Sequence, residues 1–142
     1  MIHFGKLLSA SLFVILTLFV ACKSATSSPA PDEPVKLSAQ QSSRLASGLE
    51  IRIDSIIDSR CPPSVYCIWP GNATVTAILT KGETKRVRLI LGPDPARQNR
   101  TDGNTVTVAL SGEKYMLTLR GVTPPPGDVS AVKQADILVS RL

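Results

Sequence analysis

Six segments of this chain alternate apolar and polar residues with a period of two. "LEIRID" sets Leu49, Ile51 and Ile53 against Glu50, Arg52 and Asp54. "ATVTAIL" sets Val75, Ala77 and Leu79 against Thr74, Thr76 and Ile78. "KRVRLIL" sets Val87, Leu89 and Leu91 against Arg86, Arg88 and Ile90. "TVTVAL" aligns Val106, Val108 and Leu110, "YMLTLR" aligns Tyr115, Leu117 and Leu119, and "ADILVSR" aligns Ile137 and Val139. Successive side chains of a strand point to opposite faces, so this alternation predicts half-buried antiparallel strands. A weaker seventh strand is expected over residues 35–40. The turn signals "KGE", "GPDPARQNRTDGN", "SGE" and "PPPGD" punctuate the pattern. No segment keeps a helical period over the roughly ten to twelve residues a helix needs. The expected fold is therefore all-β. It is a single antiparallel β-sandwich of about seven strands, immunoglobulin-like, or a small barrel.

The N-terminus carries a different pattern. Lys6 is the only charged residue among the first 22, and an apolar run of 15 residues follows, "LLSASLFVILTLFVA", residues 7–21. As a helix it would be about 22 Å long, short of the roughly 30 Å bilayer core. It has the length of a secretory h-region. The run ends in "FVAC", residues 19–22, which resembles the lipobox of bacterial lipoproteins, with Phe19 where leucine is usual. The resemblance implies cleavage before Cys22 and lipidation of its sulfur. It makes residues 1–21 a lipoprotein signal peptide and attaches the chain to a membrane through Cys22. Lys23 follows in place of the aspartate of inner-membrane retention. By that sorting pattern the outer membrane of the cell envelope is favoured if the host is Gram-negative. Secretion without lipid, cut after Ala21, is the plainer alternative.

Cleavage changes the composition. His3, Phe4, Phe13 and Phe19 leave, so the remaining chain has no histidine and no phenylalanine, and loss of Lys6 takes the formal charge from +5 to +4. Three cysteines become one anchor and one pair, which removes the odd thiol an exported protein would otherwise carry. Residues 22–34 hold the anchor and a Ser/Pro-rich tether, "KSATSSPAPDEP", spanning on the order of 20 Å as a flexible coil. Residues 35–142 then make one domain.

The pair lies in "DSRCPPSVYCIWPGNATV", residues 58–75. A bridge between Cys61 and Cys67 closes a short loop and stabilises by about 2–2.5 kcal/mol in the chain-entropy description. Export makes oxidation plausible. Zinc fails on ligand count, because two thiols without histidine do not fill a structural site. No metal and no cofactor are expected. Asp58 and Arg60 suit a local ion pair or a cap on the loop's amides, and Gly71 marks a turn or bulge. Trp69 has two readings. Its ring covers the disulfide, as in immunoglobulin-type cores, or it is an exposed anchor for a partner, together with Tyr66 and Arg60.

The motif "DSRCP" followed by "C-I-W-x-G-x-A-x-V" runs through Asp58, Ser59, Arg60, Cys61, Pro62, Cys67, Ile68, Trp69, Gly71, Ala73 and Val75. It resembles a motif of small uncharacterised bacterial lipoproteins, with Pro70 where a small residue is usual. The resemblance implies a lipobox, a tether and about a hundred β-rich residues. It implies no activity.

Without histidine or a free thiol the mature chain has no Cys–His or Ser–His–Asp centre. Asp54 and Asp58 on one regular strand would be about 13 Å apart, beyond the separation of glycosidase carboxylates. The chain is not expected to be an enzyme. Lys81, Lys85, Arg86, Arg88, Arg97 and Arg100 crowd residues 81–100. They form a solvated or aggregation-blocking edge, or, through Arg86 and Arg88, a contact for anionic glycan or lipid. Nucleic acid is not expected as a partner, given the exported location and the lack of stacking aromatics in this segment. The expected function is a membrane-anchored cell-envelope lipoprotein that binds or scaffolds an envelope partner. The alternative is a protease inhibitor that presents the Cys61–Cys67 loop, with Tyr66 in a chymotrypsin-like pocket. Cys22→Ser should abolish labelled-palmitate incorporation in the native host; unchanged incorporation would refute the anchor.

Overall fold

The computed structural model describes residues 32–97 and 102–142. The leader, Cys22, most of the tether and Arg100 lie outside the described residues. Eight strands are present among the described residues: β1 (Glu33–Ser38), β2 (Ser42–Arg44), β3 (Glu50–Asp58), β4 (Ala73–Lys81), β5 (Glu83–Leu91), β6 (Thr105–Leu110), β7 (Glu113–Thr123) and β8 (Gln134–Arg141). They form two antiparallel sheets of four, ordered β1-β8-β7-β6 and β2-β3-β4-β5. The sheets face one another across a shared core and do not close into a barrel. An immunoglobulin constant-type domain divides its strands as A-B-E-D and C-F-G; here each sheet is largely a meander.

The count is eight where seven strands were expected. The extra one is β2, whose three residues "SSR" are too short to display an alternation. It pairs with Glu50–Arg52 only. The weak first strand is real and begins at Glu33, and its Pro34 sits on the edge strand β1, where a missing N–H is tolerated.

The alternation read from the sequence sets the core. Leu49, Ile51 and Ile53 face Tyr115, Leu117, Leu119, Ile137 and Val139 across the sandwich, with Val75, Leu79 and Leu89 among them, all buried. Val106 and Val108 on edge strand β6 are only partly buried. Ile90, placed by alternation on the outer face of β5, is buried as well. The turn Asp102–Asn104 lies beside this strand.

Two β-bulges interrupt the alternation, one in β3 between Ile53 and Ser55, one in β7 between Leu119 and Gly121. A bulge adds one residue to one strand and thereby exchanges the two faces beyond it. In β3 the inward positions pass from Leu49, Ile51 and Ile53 to Ile56 and Asp58, and Ile57 turns out to solvent. In β7 they pass from Leu119 to Val122. Both reversals occur at the same end of the sandwich.

The two ends differ in chemistry. The chain enters at Glu33, paired with Val139 near the finish of β8. At this entry end the Lys81 ammonium donates to the carbonyl of Ser47 at 2.8 Å, to the Tyr115 hydroxyl at 2.7 Å and to the Glu113 carboxylate. The hydroxyl of buried Tyr115 donates to the same carboxylate. These bonds join β4 of one sheet to β7 of the other. Hydrogen bonds to Glu113 first, then Tyr115, hold Lys81 above the ordinary lysine value, and hydrogen bonds from Lys81 and Tyr115 hold Glu113 below the ordinary glutamate value. The far end carries the loops 59–72 and 124–133 and the described residues 92–97 and 102–104.

Candidate binding tip

The β3–β4 ladder continues past its last strand pair, Asp58 with Ala73. Ser59 donates its amide to the carbonyl of Asn72 at 2.9 Å, and Cys61 donates to the carbonyl of Pro70 at 2.8 Å. The Ser59 hydroxyl also donates to Asn72 O at 2.9 Å. Between these rungs the two chains come very close. Gly71 has φ +69°, and a Cβ there would lie 1.9 Å from the Ser59 carbonyl oxygen. Only glycine fits both the left-handed backbone and the space. The ribbon is then closed by the disulfide between Cys61 and Cys67, with Cα atoms 6.0 Å apart. Within the loop Val65 donates to the carbonyl of Pro62 at 3.1 Å, forming a turn.

Asp58 fixes the base of this ribbon. Its side chain is only 3% exposed, and Arg60 grips it bidentately, Nε to Oδ1 at 2.7 Å and Nη2 to Oδ2 at 2.8 Å. Arg60 Nη2 also donates to the carbonyl of Val122 on β7 at 2.8 Å. Lys133 Nζ lies 3.2 Å from Asp58 Oδ2 and donates to the carbonyls of Pro124 and Pro125. One carboxylate thus joins the tip on β3 to the loop 124–133 of the opposite sheet. Gly127 completes the contact: a Cβ added there would lie 3.2 Å from Cβ of Pro62. Burial alone would raise the Asp58 carboxyl; the bonds from Arg60 and Lys133 and the charge of Arg60 outweigh it and hold it below the ordinary aspartate value.

The tip extends beyond the last strand pair, and most of its apolar side chains face solvent. Tyr66 is 99% exposed and Ile68 fully so; Trp69 is 44% exposed, and Val65 is exposed as well. Trp69 stands outside the buried core, unlike the tryptophan of an immunoglobulin-type domain. The neighbouring loop adds exposed Val129 and Val132, and β3 adds Ile57. Sequence reasoning named Tyr66 and Trp69 and missed the two valines. They lie in a Pro/Gly-rich turn without periodicity, and only the fold sets that turn beside the tip.

The remaining candidates sit elsewhere. Arg60 is in the hub, its guanidinium taken up by Asp58 and Val122. Arg86 and Arg88 lie on the outer face of the β2-β3-β4-β5 sheet. They pair with Asp54 at 3.1 Å and Asp94 at 3.7 Å. Asp54 and Asp58 are held in separate ion-pair groups. Among the described residues no group of three or more His, Cys, Asp or Glu is placed to hold a metal ion. No family model, curated protein or solved structure matches the chain.

Replacing Asp58 tests the hub. Asp58→Asn removes the charge that two cations face and should cost about 2–3 kcal/mol at neutral pH. Because the folded-state pKa lies below the ordinary 3.8, the stabilisation is complete above that value. It is lost as pH falls through the lower folded value. Urea unfolding should show a constant gap between wild type and variant from neutral pH to about pH 5, closing in stronger acid. A gap that stays constant in strong acid would refute the assignment.

Proposed function

We propose that the chain is a lipid-anchored protein of the bacterial cell envelope whose sandwich serves as a binding module, with the 59–72 tip as its contact surface. One observation carries this reading. Tyr66, Ile68 and Trp69 stand exposed at the end of a ribbon that a disulfide, a glycine without room for a side chain and a buried carboxylate all hold in one shape. Contiguous exposed apolar residues mark interaction sites, and a surface ordered before contact avoids much of the entropy cost of binding. The lipobox-like "FVAC" and the tether supply the anchor. The described chain enters at Glu33, at the opposite end from the tip.

Protease inhibition retains one favourable observation, the full exposure of Tyr66 beside the disulfide. The Pro62–Val65 turn favours the binding-module reading over it, because the segment before Tyr66 is curled, whereas an inhibitor loop enters a cleft extended. Arg86 and Arg88 already face carboxylates, which weakens them as the anion contact.

A photo-cross-linking phenylalanine analogue at position 66, expressed in the native envelope, should give discrete adducts to an envelope component. The same analogue at Thr84, an exposed site at the entry end, should not. Equal labelling from both positions, or none from position 66, would overturn the proposal.

A further inference from the structure

The tip's shape and charge indicate what it contacts. Its apolar side chains project outward from two adjacent loops, Tyr66, Ile68 and Trp69 from one and Val129 and Val132 from the other. They do not line a groove. The loops are held together by the Asp58–Lys133 pair and the Pro62–Gly127 contact. Its charge cancels: residues 58–72 contain Asp58 and Arg60, and residues 121–133 contain Asp128 and Lys133, so each loop sums to zero. Three of these four charged groups, Asp58, Arg60 and Lys133, are paired at the base of the tip, below the exposed apolar residues. Asp128 is satisfied by the amide and hydroxyl of Ser130.

We infer that this end of the sandwich is a lipid-docking element, with Tyr66, Ile68 and Trp69 entering the headgroup–acyl boundary of a bilayer and Val129 and Val132 resting beside them. The inference rests on the binding-module reading above and names its partner. A convex protrusion of zero net charge offers apolar area without requiring a matching pocket. Tyrosine and tryptophan are the side chains that favour the bilayer interface, since each has an apolar ring and a polar handle. Asp58 is already paired at the base with Arg60 and Lys133, and Asp128, the tip's other carboxylate, is bonded to Ser130, so the tip presents no net charge to a bilayer. The contact is therefore hydrophobic, without dependence on anionic lipid. With the chain's entry at the other end, docking adds a second membrane attachment to that at Cys22 and fixes the domain's orientation.

Trp69 is the chain's only tryptophan, so intrinsic emission reports on the tip directly. The core closes among residues 33–142, so the chain from residue 22 onward with Cys22→Ser is a suitable test protein. Mixed with phosphatidylcholine vesicles, it should float with the lipid and its emission should shift to the blue, equally at low and high salt. Ile68→Ser should weaken partitioning about tenfold, and the Tyr66→Ser, Ile68→Ser pair about a hundredfold. Both positions are exposed, so unchanged thermal unfolding will show that the variants stay folded. Unshifted emission without flotation at millimolar lipid would overturn the inference, as would binding that survives the double substitution or vanishes in high salt. A protein adduct at position 66 without vesicle binding would overturn it while leaving the binding module standing. Failure of both experiments would remove both.

Discussion

The architecture of the tip depends on one carboxylate buried where the two sheets meet. Asp58 would be costly there as a lone charge. Arg60 and Lys133 face it, and each also satisfies a carbonyl of the opposite sheet's chain. The group therefore does more than neutralise itself. It joins β3 to β7 and to the loop before β8, and it determines where the hairpin leaves the sandwich. The disulfide acts further out, on the turn. Gly71 acts between the two, letting the strands approach more closely than any side chain would permit.

Asp58 reaches that position only because β3 is bulged. Without the bulge, alternation from Ile51 and Ile53 would put Ile57 inside and Asp58 in solvent. With it, Ile57 joins the exposed apolar surface and Asp58 turns inward. The matching bulge in β7 sets Val122 inward, and the carbonyl of that residue accepts from Arg60. Two local irregularities at one end thus turn a regular sandwich into a platform for a protruding ribbon.

Much of the fold was legible from period-two patterning, because burial on one face forces it. The inward sets of β3, β4, β7 and β8 follow directly from it. The Cys61–Cys67 bridge and the Asp58–Arg60 pair were legible too, being local in sequence. What remained hidden was either short or non-local. β2 has three residues and no period. A bulge has no composition of its own. Lys133, Val129 and Val132 lie more than fifty residues from the tip, in a segment whose prolines signal only a turn. Trp69 shows the limit most clearly: its neighbours favour a ring laid over the disulfide, yet the ring stands exposed outside the core, because its place is set by how far the ribbon projects.

The Asp58 hub, more than the disulfide, sets the shape of the tip's base, since it ties the ribbon to the opposite sheet while the bridge closes only the turn beyond it. Amide hydrogen exchange at Ser59 tests it directly, since that N–H bonds across the ribbon to Asn72. Protection should be strong in the wild type, mostly kept when Cys61 and Cys67 are both replaced by serine, and lost in Asp58→Asn. Free exchange at Ser59 in the wild type would contradict this role of Asp58. So would protection that disappears with the disulfide yet survives the loss of the Asp58 charge.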